Sequence, residues 1–483
     1  MFQDPLLHSF ARLARRSPHA PLILSPERSA TVGQVDALAR AAAAALAGGA
    51  HPPGSRVGLV AANGPGFLAT LLAVRRAGLA ALLLDGQTPA AEGLRIARSL
   101  GAAAVFSCST GWPREPGDWV LSPTIDRSDR SDPSDATNIA VIKLTSGSTG
   151  APRGIATPSE ALLADDAALT ASMGIRRGDR LLTIIPMAHS YGLSSLVVPA
   201  LVRGTPLVLP AASSLFDPFV AAERTEATVF PTVPAYLDAV LGISEAPVCP
   251  PSLRLVITAG APLSPATAHR FRETFGLPVH VFYGASECGG ICYDRAGDAG
   301  ERGTVGTPVE GVEITLEPVD PACPSTGRVT VRSPAVAAGY LPEPAEPDPR
   351  LAGGRYVTGD VAAWQDGELV LRGRLDGLVN IKGKKINPRE VEEVLGGLAG
   401  VDEVVVLGVP VPGRAEERLR AVIACGAGRI TVEEVLSWCR GHLAPHKVPR
   451  SVILVPEMPR TERGKLDRAA LLALGRGTRS GHA

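Results

Sequence analysis

The sequence predicts an α/β protein: a large N-terminal domain with mostly parallel sheets and a small β-subdomain, then a smaller α+β C-terminal domain. Three observations predict it. The 483 residues exceed what one ordinary hydrophobic core serves. Strand-like and helical segments alternate at crossover spacing through the first three-quarters of the chain. After Asp376 the rhythm changes, and the remaining residues suffice for a compact domain of their own. The expected boundaries are therefore 1–375 and 376–483.

The elements follow in order. Thr31-Val32-Gly33-Gln34 has capping-box spacing and opens an Ala-rich helix through Leu46. Arg56 to Val60 reads as a buried strand, about Gly66 to Ala77 as a helix, and Leu79 to Leu84 as the next strand. The pattern recurs in the strand Arg180 to Ile185, with helical material beyond Pro186. It recurs again in strand Leu253 to Thr258, helix Pro265 to Phe275 and strand Val279 to Tyr283. Two stretches, Pro113 to Asn138 and Pro342 to Pro349, are rich in proline and acids and are expected to be surface loops. Between them, Gly311 to Val331 alternates like antiparallel strands, and Asp366-Gly367 is a hairpin signal. In the tail, Pro388 to Leu395 and Val432 to Leu443 read as helices. Val401 to Gly408, Arg418 to Ala424 and Ser451 to Val455 read as strands.

Composition narrows the function. Lys+Arg 48 balance Asp+Glu 48, which gives no electrostatic reason for broad nucleic-acid or membrane-surface binding. Smooth apolar stretches such as Gly192 to Val202 fall short of the ~18–20 residues a spanning helix needs. Met1 to Arg16 lacks a signal-peptide core. The seven cysteines are scattered; Cys288 and Cys292 are close, but no second Cys/His pair completes a zinc set. Idle thiols in a reducing cytoplasm are the expectation.

Leu144-Thr145-Ser146-Gly147-Ser148-Thr149-Gly150-Ala151-Pro152-Arg153-Gly154 is the most informative segment. It begins where the apolar run Ile139 to Ile142 ends, as a strand-to-loop junction would. Its glycines let backbone N–H groups approach an anion, its hydroxyls donate, and Arg153 supplies charge. A flexible Gly/Ser linker is the plain alternative. It is not a Walker loop, since the Gly-Lys-Ser/Thr spacing is missing.

At this loop the chain resembles the class I adenylate-forming enzymes, which include acyl- and aryl-CoA synthetases, peptide-synthetase adenylation domains and luciferases. The likeness continues in order. Pro186-Met187-Ala188-His189-Ser190-Tyr191-Gly192-Leu193 is similar to the family's acyl-site loop, followed by Ala259-Gly260-Ala261-Pro262-Leu263-Ser264 and Tyr283-Gly284-Ala285-Ser286-Glu287. Thr358-Gly359-Asp360 resembles its ribose motif. Gly373-Arg374-Leu375-Asp376 through Lys382-Gly383 to Pro388 resembles its hinge. Pro459 to Lys465 resembles its C-terminal lysine motif.

The resemblance implies attack of a carboxylate on the α-phosphate of ATP, giving an acyl-adenylate and pyrophosphate. Two anions must meet, so the site needs cations and N–H donors. By resemblance, Thr145, Ser146, Gly147, Ser148, Thr149 and Gly150, with Arg153, hold the phosphates, and Glu287 with Ser286 positions Mg²⁺. Tyr283 and Gly284 lie along the adenine, with Gly260, Ala261 and Pro262 opposite. Asp360 takes the ribose hydroxyls and Arg374 reaches ribose or phosphate. Lys465 bridges ribose and the reacting carboxylate, and His189 joins the catalytic set. Each residue alone has a plainer reading, such as a surface carboxylate for Glu287 or a structural histidine for His189. The ordered set is what lifts them.

The resemblance further implies a mobile C-terminal domain turning about Asp376, and a thiol acceptor, either CoA or the phosphopantetheine of a separate carrier protein. A stand-alone enzyme is expected. Arg153 stands where many relatives have lysine, Ser286 replaces the commoner threonine, and Asn380 stands where some CoA ligases have lysine. Ser190, Tyr191, Ala259, Gly289 and Gly290 are the expected acid pocket. Neutral Ser190 disfavours an α-amino acid, and the two glycines suggest room for an aryl or medium-chain acid. The competing readings are a γ-phosphate-cleaving NTPase, a nucleotide-binding relative with little turnover, and an adenylating enzyme with an unusual acid or a non-thiol acceptor such as an amine.

Overall fold

The computed structural model describes residues 4–49, 51–124, 138–146, 152–211, 213–244, 247–318, 326–344, 348–374, 379–381, 384–386, 388–411, 417–426, 429–459 and 468–474. The chain divides into two compact units. The larger takes in Met1–Gly86, Gly93–Thr145 and Arg153–Asp376; the smaller takes in Gln87–Glu92, Ser146–Pro152 and Gly377–Ala483.

The larger unit contains two broad sheets. One has nine strands, ordered Thr307–Pro308, Gly289–Tyr293, Val279–Ala285, Leu255–Ala259, Val229–Thr232, Leu181–Leu182, Leu207–Val208, Pro21–Leu24 and Ser29–Thr31. Its centre is parallel, from Val279–Ala285 across to Pro21–Leu24, and antiparallel pairs close both edges. The other has seven strands, ordered Gly339–Leu341, Pro152–Pro158, Ile139–Ser146, Ala80–Leu84, Arg56–Val60, Ala102–Cys108 and Trp119–Pro123. The parallel register Val57 with Ala81, across the helix Pro65–Arg76, is the crossover read from the sequence.

Local signals explain several boundaries. Thr31 and Gln34 form both hydrogen bonds of a capping box, which starts the helix Val32–Ala47. Ser264 accepts from Thr267 N and opens the helix Pro265–Phe275, with a proline in its first turn. Asp366 and Gly367 both have positive φ, 51° and 81°, and join the strands Arg355–Gln365 and Glu368–Arg374. That hairpin belongs to a five-stranded antiparallel sheet with Glu313–Pro318, Thr326–Arg332 and Leu351–Ala352, the small β-subdomain.

Two expectations need correction. The stretch Pro113 to Asn138 is not all loop: Trp119–Pro123 pairs antiparallel with Ala102–Cys108. Trp119 is buried there and donates its indole N–H to Thr70 Oγ1 at 2.9 Å, so one apolar anchor pulls a polar segment onto the sheet edge. Residues 125–137 lie outside the described set. The strand expected over Arg180 to Ile185 is confined to Leu181–Leu182. Beyond it the Ile185 carbonyl accepts from Asn63 Nδ2 at 2.9 Å and Met187 N donates to Asn63 Oδ1 at 2.8 Å, so one side chain takes over the backbone pairing.

In the smaller unit, Glu403–Pro410, Glu417–Ala424 and Ser451–Val455 form a three-stranded sheet. Val391 and Leu395 of the helix Pro388–Gly396 and Val435 and Cys439 of the helix Val432–His442 share one buried cluster with Val406, Leu419 and Ile423. Among the described residues, no helix is long and apolar enough to cross a membrane.

Candidate active site

Most expected site residues of the larger unit sit on or beside loops and strand ends, while Asp360 lies within the strand Arg355–Gln365. Leu255–Ala259 is buried throughout and ends at Gly260, whose φ of 87° turns the chain toward Ala261 and Pro262. The neighbouring strand Val279–Ala285 carries Tyr283 and Gly284, with Ser286 and Glu287 following. Its parallel register, Ala259 opposite Phe282, brings these two segments side by side.

Tyr283 donates its hydroxyl to Asp360 Oδ2 at 2.6 Å. Burial, and then the Asp360 carboxylate, push the tyrosine pKa well above its usual value, so the phenol keeps its proton. Asp360 is itself buried, and its backbone N–H donates to Thr358 Oγ1 at 2.9 Å. Arg374 lies directly opposite Asp360 in the hairpin register. One adenine candidate, Tyr283, and one ribose candidate, Asp360, are thus joined by a hydrogen bond.

Glu287 is a second focus. Its side chain is buried, and its Oε1 accepts from the Tyr340 hydroxyl at 3.2 Å. The ring of Tyr340 carries the Arg153 guanidinium 3.9 Å above its centroid, and Arg153 also pairs with Asp348 at 3.5 Å. Hydrogen bonds from Arg350, with Arg153 nearby, hold the Asp348 carboxyl down at about 2. The expected phosphate cation and the expected metal carboxylate are therefore joined through one aromatic ring. Gly147 to Gly150, the middle of the expected phosphate loop, lie outside the described residues, as do Asp376 and Lys465. Thr145 and Ser146 end the strand Ile139–Ser146.

The acyl-site loop meets the same focus through Ser190, whose Oγ donates to Ser286 Oγ at 2.8 Å. His189 caps the short helix Ser190–Gly192, its Nδ1 accepting from Tyr191 N at 3.3 Å. Tyr191 is buried, donates its hydroxyl to the Ile257 carbonyl at 3.2 Å and packs 5.7 Å from the Phe282 ring. His189 thus has structural work of the kind its plainer reading allowed, and Tyr191 has structural work that the sequence did not reveal.

The two glycines of the expected acid pocket also have a structural reason. A Cβ on Gly289 would strike Asp165 Oδ1, and one on Gly290 would lie 2.7 Å from Leu169 Cδ2. At these two positions the missing side chains admit Asp165 and Leu169. Asp165 accepts from Gly290 N at 2.9 Å and from Ser194 Oγ at 2.6 Å. Burial raises its pKa, which Ser194, Gly290 and the Lys143 ammonium oppose. Lys143, buried on the strand leading to the phosphate loop, is lowered by desolvation and pulled back by Asp165 and Glu287. Sequence reasoning missed both residues. The signal was present in a lysine inside an apolar strand and an Asp-Asp pair within a helix.

Residues 10–341 match the family model described as AMP-binding enzyme, and residues 390–465 match the model of the AMP-binding enzyme C-terminal domain. The chain belongs to the AMP-binding enzyme family. It is an adenylate-forming enzyme by that membership, as its ordered motifs led us to expect. The feruloyl-CoA synthase of Amycolatopsis sp is 29% identical over 476 residues, covering 94% of this chain and 96% of that protein. A probable CoA ligase of Humulus lupulus is 30% identical over 351 residues, 70% of this chain and 66% of its own. Among solved structures, the amide bond synthetase McbA from Marinactinospora thermotolerans superposes with a TM-score of 0.80 at 26% identity, covering 96% of this chain and 98% of that one. A variant of o-succinylbenzoate-CoA synthetase from Bacillus subtilis shares the fold, with a TM-score of 0.81 at 24% identity over 97% of this chain and 98% of that one. For this AMP-binding enzyme, the Tyr283–Asp360 pair and the Glu287–Tyr340–Arg153 chain are thus the parts to weigh against a nucleotide.

Proposed function

We propose that this enzyme activates an aryl or medium-chain carboxylic acid with ATP, forming an acyl-adenylate, and transfers the acyl group to the thiol of coenzyme A. The observation that carries the reading is the convergence of Ser190, Ser286 and Glu287 with the Arg153-bearing Tyr340 ring. Acid, metal and phosphate candidates occur in one connected group, as attack of a carboxylate on a phosphate requires.

The donors present suit Mg²⁺. Glu287 is a buried hard-oxygen ligand held by Tyr340, and a magnesium ion shared with nucleotide phosphates asks for only one or two protein carboxylates. Glu287 and Ser286 would hold it. When bound, it would neutralise charge on the leaving pyrophosphate. Arg153, fixed by Tyr340 and Asp348, adds a cation that needs no reorganisation. Asp360, oriented by Tyr283, accepts from the ribose hydroxyls. Lys465 steadies the charge on the reacting carboxylate, and Asp376 is the hinge between the two half-reactions.

The names of the CoA-ligase relatives support coenzyme A over a carrier protein as acceptor. A second reading has an amine in place of the thiol, favoured by the likeness to an amide bond synthetase at 26% identity. The six described cysteines are unpaired, which supports a reducing cytoplasm as the setting. The test is ATP–pyrophosphate exchange over a panel of aryl, fatty and amino acids, with coenzyme A, a carrier protein or amines added afterwards. Acid-dependent exchange followed by thioester formation supports the reading. Phosphate release in place of AMP contradicts it.

A further inference from the structure

Lys143 is a buried cation in the otherwise apolar first half of the strand Ile139–Ser146. Burying an ammonium is costly unless opposite charges answer it. The sheet register shows which way it faces. Leu341 pairs with Gly154 and Tyr340 with Ile155, on strands next to that of Lys143. A Cβ on Gly154 would meet Ile142 and Leu341, so these three positions share one face. Alternation along the strands then puts Lys143 on the other face, with Ile155 and Tyr340. Tyr340 is the residue that donates to Glu287.

Two buried carboxylates answer the lysine. Asp165, on the helix Ser159–Met173, accepts from Ser194 Oγ at 2.6 Å and from Gly290 N at 2.9 Å, so both of its oxygens act as acceptors. Glu287 lies in the connection between the strands Val279–Ala285 and Gly289–Tyr293, three residues before Gly290. Burial lowers the lysine's pKa, and attraction first to Asp165 and then to Glu287 opposes that. The plain reading is a buried ion pair kept for stability, which apolar side chains could replace. What sets Lys143 apart is its place. It stands two residues before Thr145, where the expected phosphate loop begins, and on the face that holds the expected metal carboxylate.

We propose that Lys143 is a further positioning residue of the nucleotide site: its ammonium is a fixed counter-charge to Glu287, shared with Asp165, that offsets the repulsion between Glu287 and the nucleotide phosphates. The inference rests on the adenylation reading above. In this role Lys143 acts through Glu287 and touches neither nucleotide nor acid. Its field acts more strongly on bare ATP than on the magnesium complex, whose net charge is about half as large. Removing the ammonium therefore makes nucleotide binding depend more heavily on the metal ion. Removing the Asp165 charge does the opposite, because it leaves more of the lysine's field to Glu287 and the phosphates.

The experiment measures the Kd of the full chain for ATP by calorimetry, once in EDTA and once in saturating Mg²⁺, and reads the ratio of the two. Lys143→Met should widen that ratio by about tenfold relative to wild type. Asp165→Asn keeps the shape and an acceptor for Gly290 N. Alone it should narrow the ratio, which keeps the inference testable if Lys143→Met fails to fold. Combined with Lys143→Met it should bring the ratio back toward wild type. A ratio that neither folded single variant moves, with ATP binding intact, overturns the inference alone. So does a widening that Asp165→Asn fails to reverse, which would leave Lys143 a packing residue. Absence of ATP binding by the wild type in both conditions overturns the adenylation reading and this inference with it.

Discussion

The Tyr283 hydroxyl donates to Asp360 Oδ2 at 2.6 Å, from a sheet strand to the small β-subdomain. The bond is part-buried, with Asp360 itself buried, and charge-assisted, so it fixes the carboxylate that would meet the ribose. Tyr283→Phe should raise KM for ATP by about tenfold or more, with a smaller change in kcat, since a hydrogen bond to a buried charge is worth roughly 1.5–3 kcal/mol. Steady-state kinetics check this. An unmoved KM would show that Asp360 is held by other groups.

Gly289 and Gly303 offer an internal comparison. Both have φ of 72°, yet a Cβ on Gly303 would meet nothing within 4 Å, while one on Gly289 would strike Asp165. Gly303→Ala should cost about 1–3 kcal/mol from the left-handed backbone. Gly289→Ala should cost at least ~1 kcal/mol more, the added cost of overpacking. Urea unfolding of the two variants measures the difference. Equal losses would mean that Asp165 moves aside freely.

Stability should depend on pH through Asp166. Burial raises its carboxyl to about 6, with Asp165 adding to the rise and Arg203 opposing it. Its unfolded value is about 3.9. Between these values the folded protein holds the proton more tightly, so this group's contribution to stability falls as pH rises from about 4 through about 6. Asp166→Asn removes the titration. Its stability relative to wild type should therefore improve by on the order of 2 kcal/mol between about pH 4 and about pH 8. A difference between the two proteins that stays constant with pH would contradict the shifted carboxyl.

The two half-reactions should separate genetically. Lys465→Ala should lower pyrophosphate exchange by on the order of 10²–10³ if its ammonium stabilises the transition state. Asp376→Pro, by restricting the proposed hinge, should leave exchange largely intact and suppress acyl transfer. Equal loss of both half-reactions in Asp376→Pro would remove the hinge assignment.

Much of the architecture was legible because its signals are local. The Thr31–Gln34 capping box, the Asp366-Gly367 turn and the alternation of apolar strands with helices each act within a few residues, and each appears in the fold. The motif residues Tyr283, Ser286, Glu287 and Asp360 could be found by their order along the chain, and the fold brings Tyr283 to Asp360. Long-range capture was not legible. Trp119 turning a polar stretch into an edge strand, and Asn63 taking over the pairing of Ile185 and Met187, depend on partners far away in sequence. The glycines at 289 and 290 were visible but ambiguous. Absent side chains can make room for a ligand or for protein, and only the structure shows how closely Asp165 and Leu169 approach these two positions.

The central claim is that the acid attacks the α-phosphate of ATP. Its most direct measurement uses an accepted acid labelled with ¹⁸O in its carboxylate, with the products of complete turnover examined by mass spectrometry. The account predicts one labelled oxygen in AMP, left there when the acyl–oxygen bond breaks. AMP free of label, with ¹⁸O in inorganic phosphate or retained wholly in the acyl product, would contradict it.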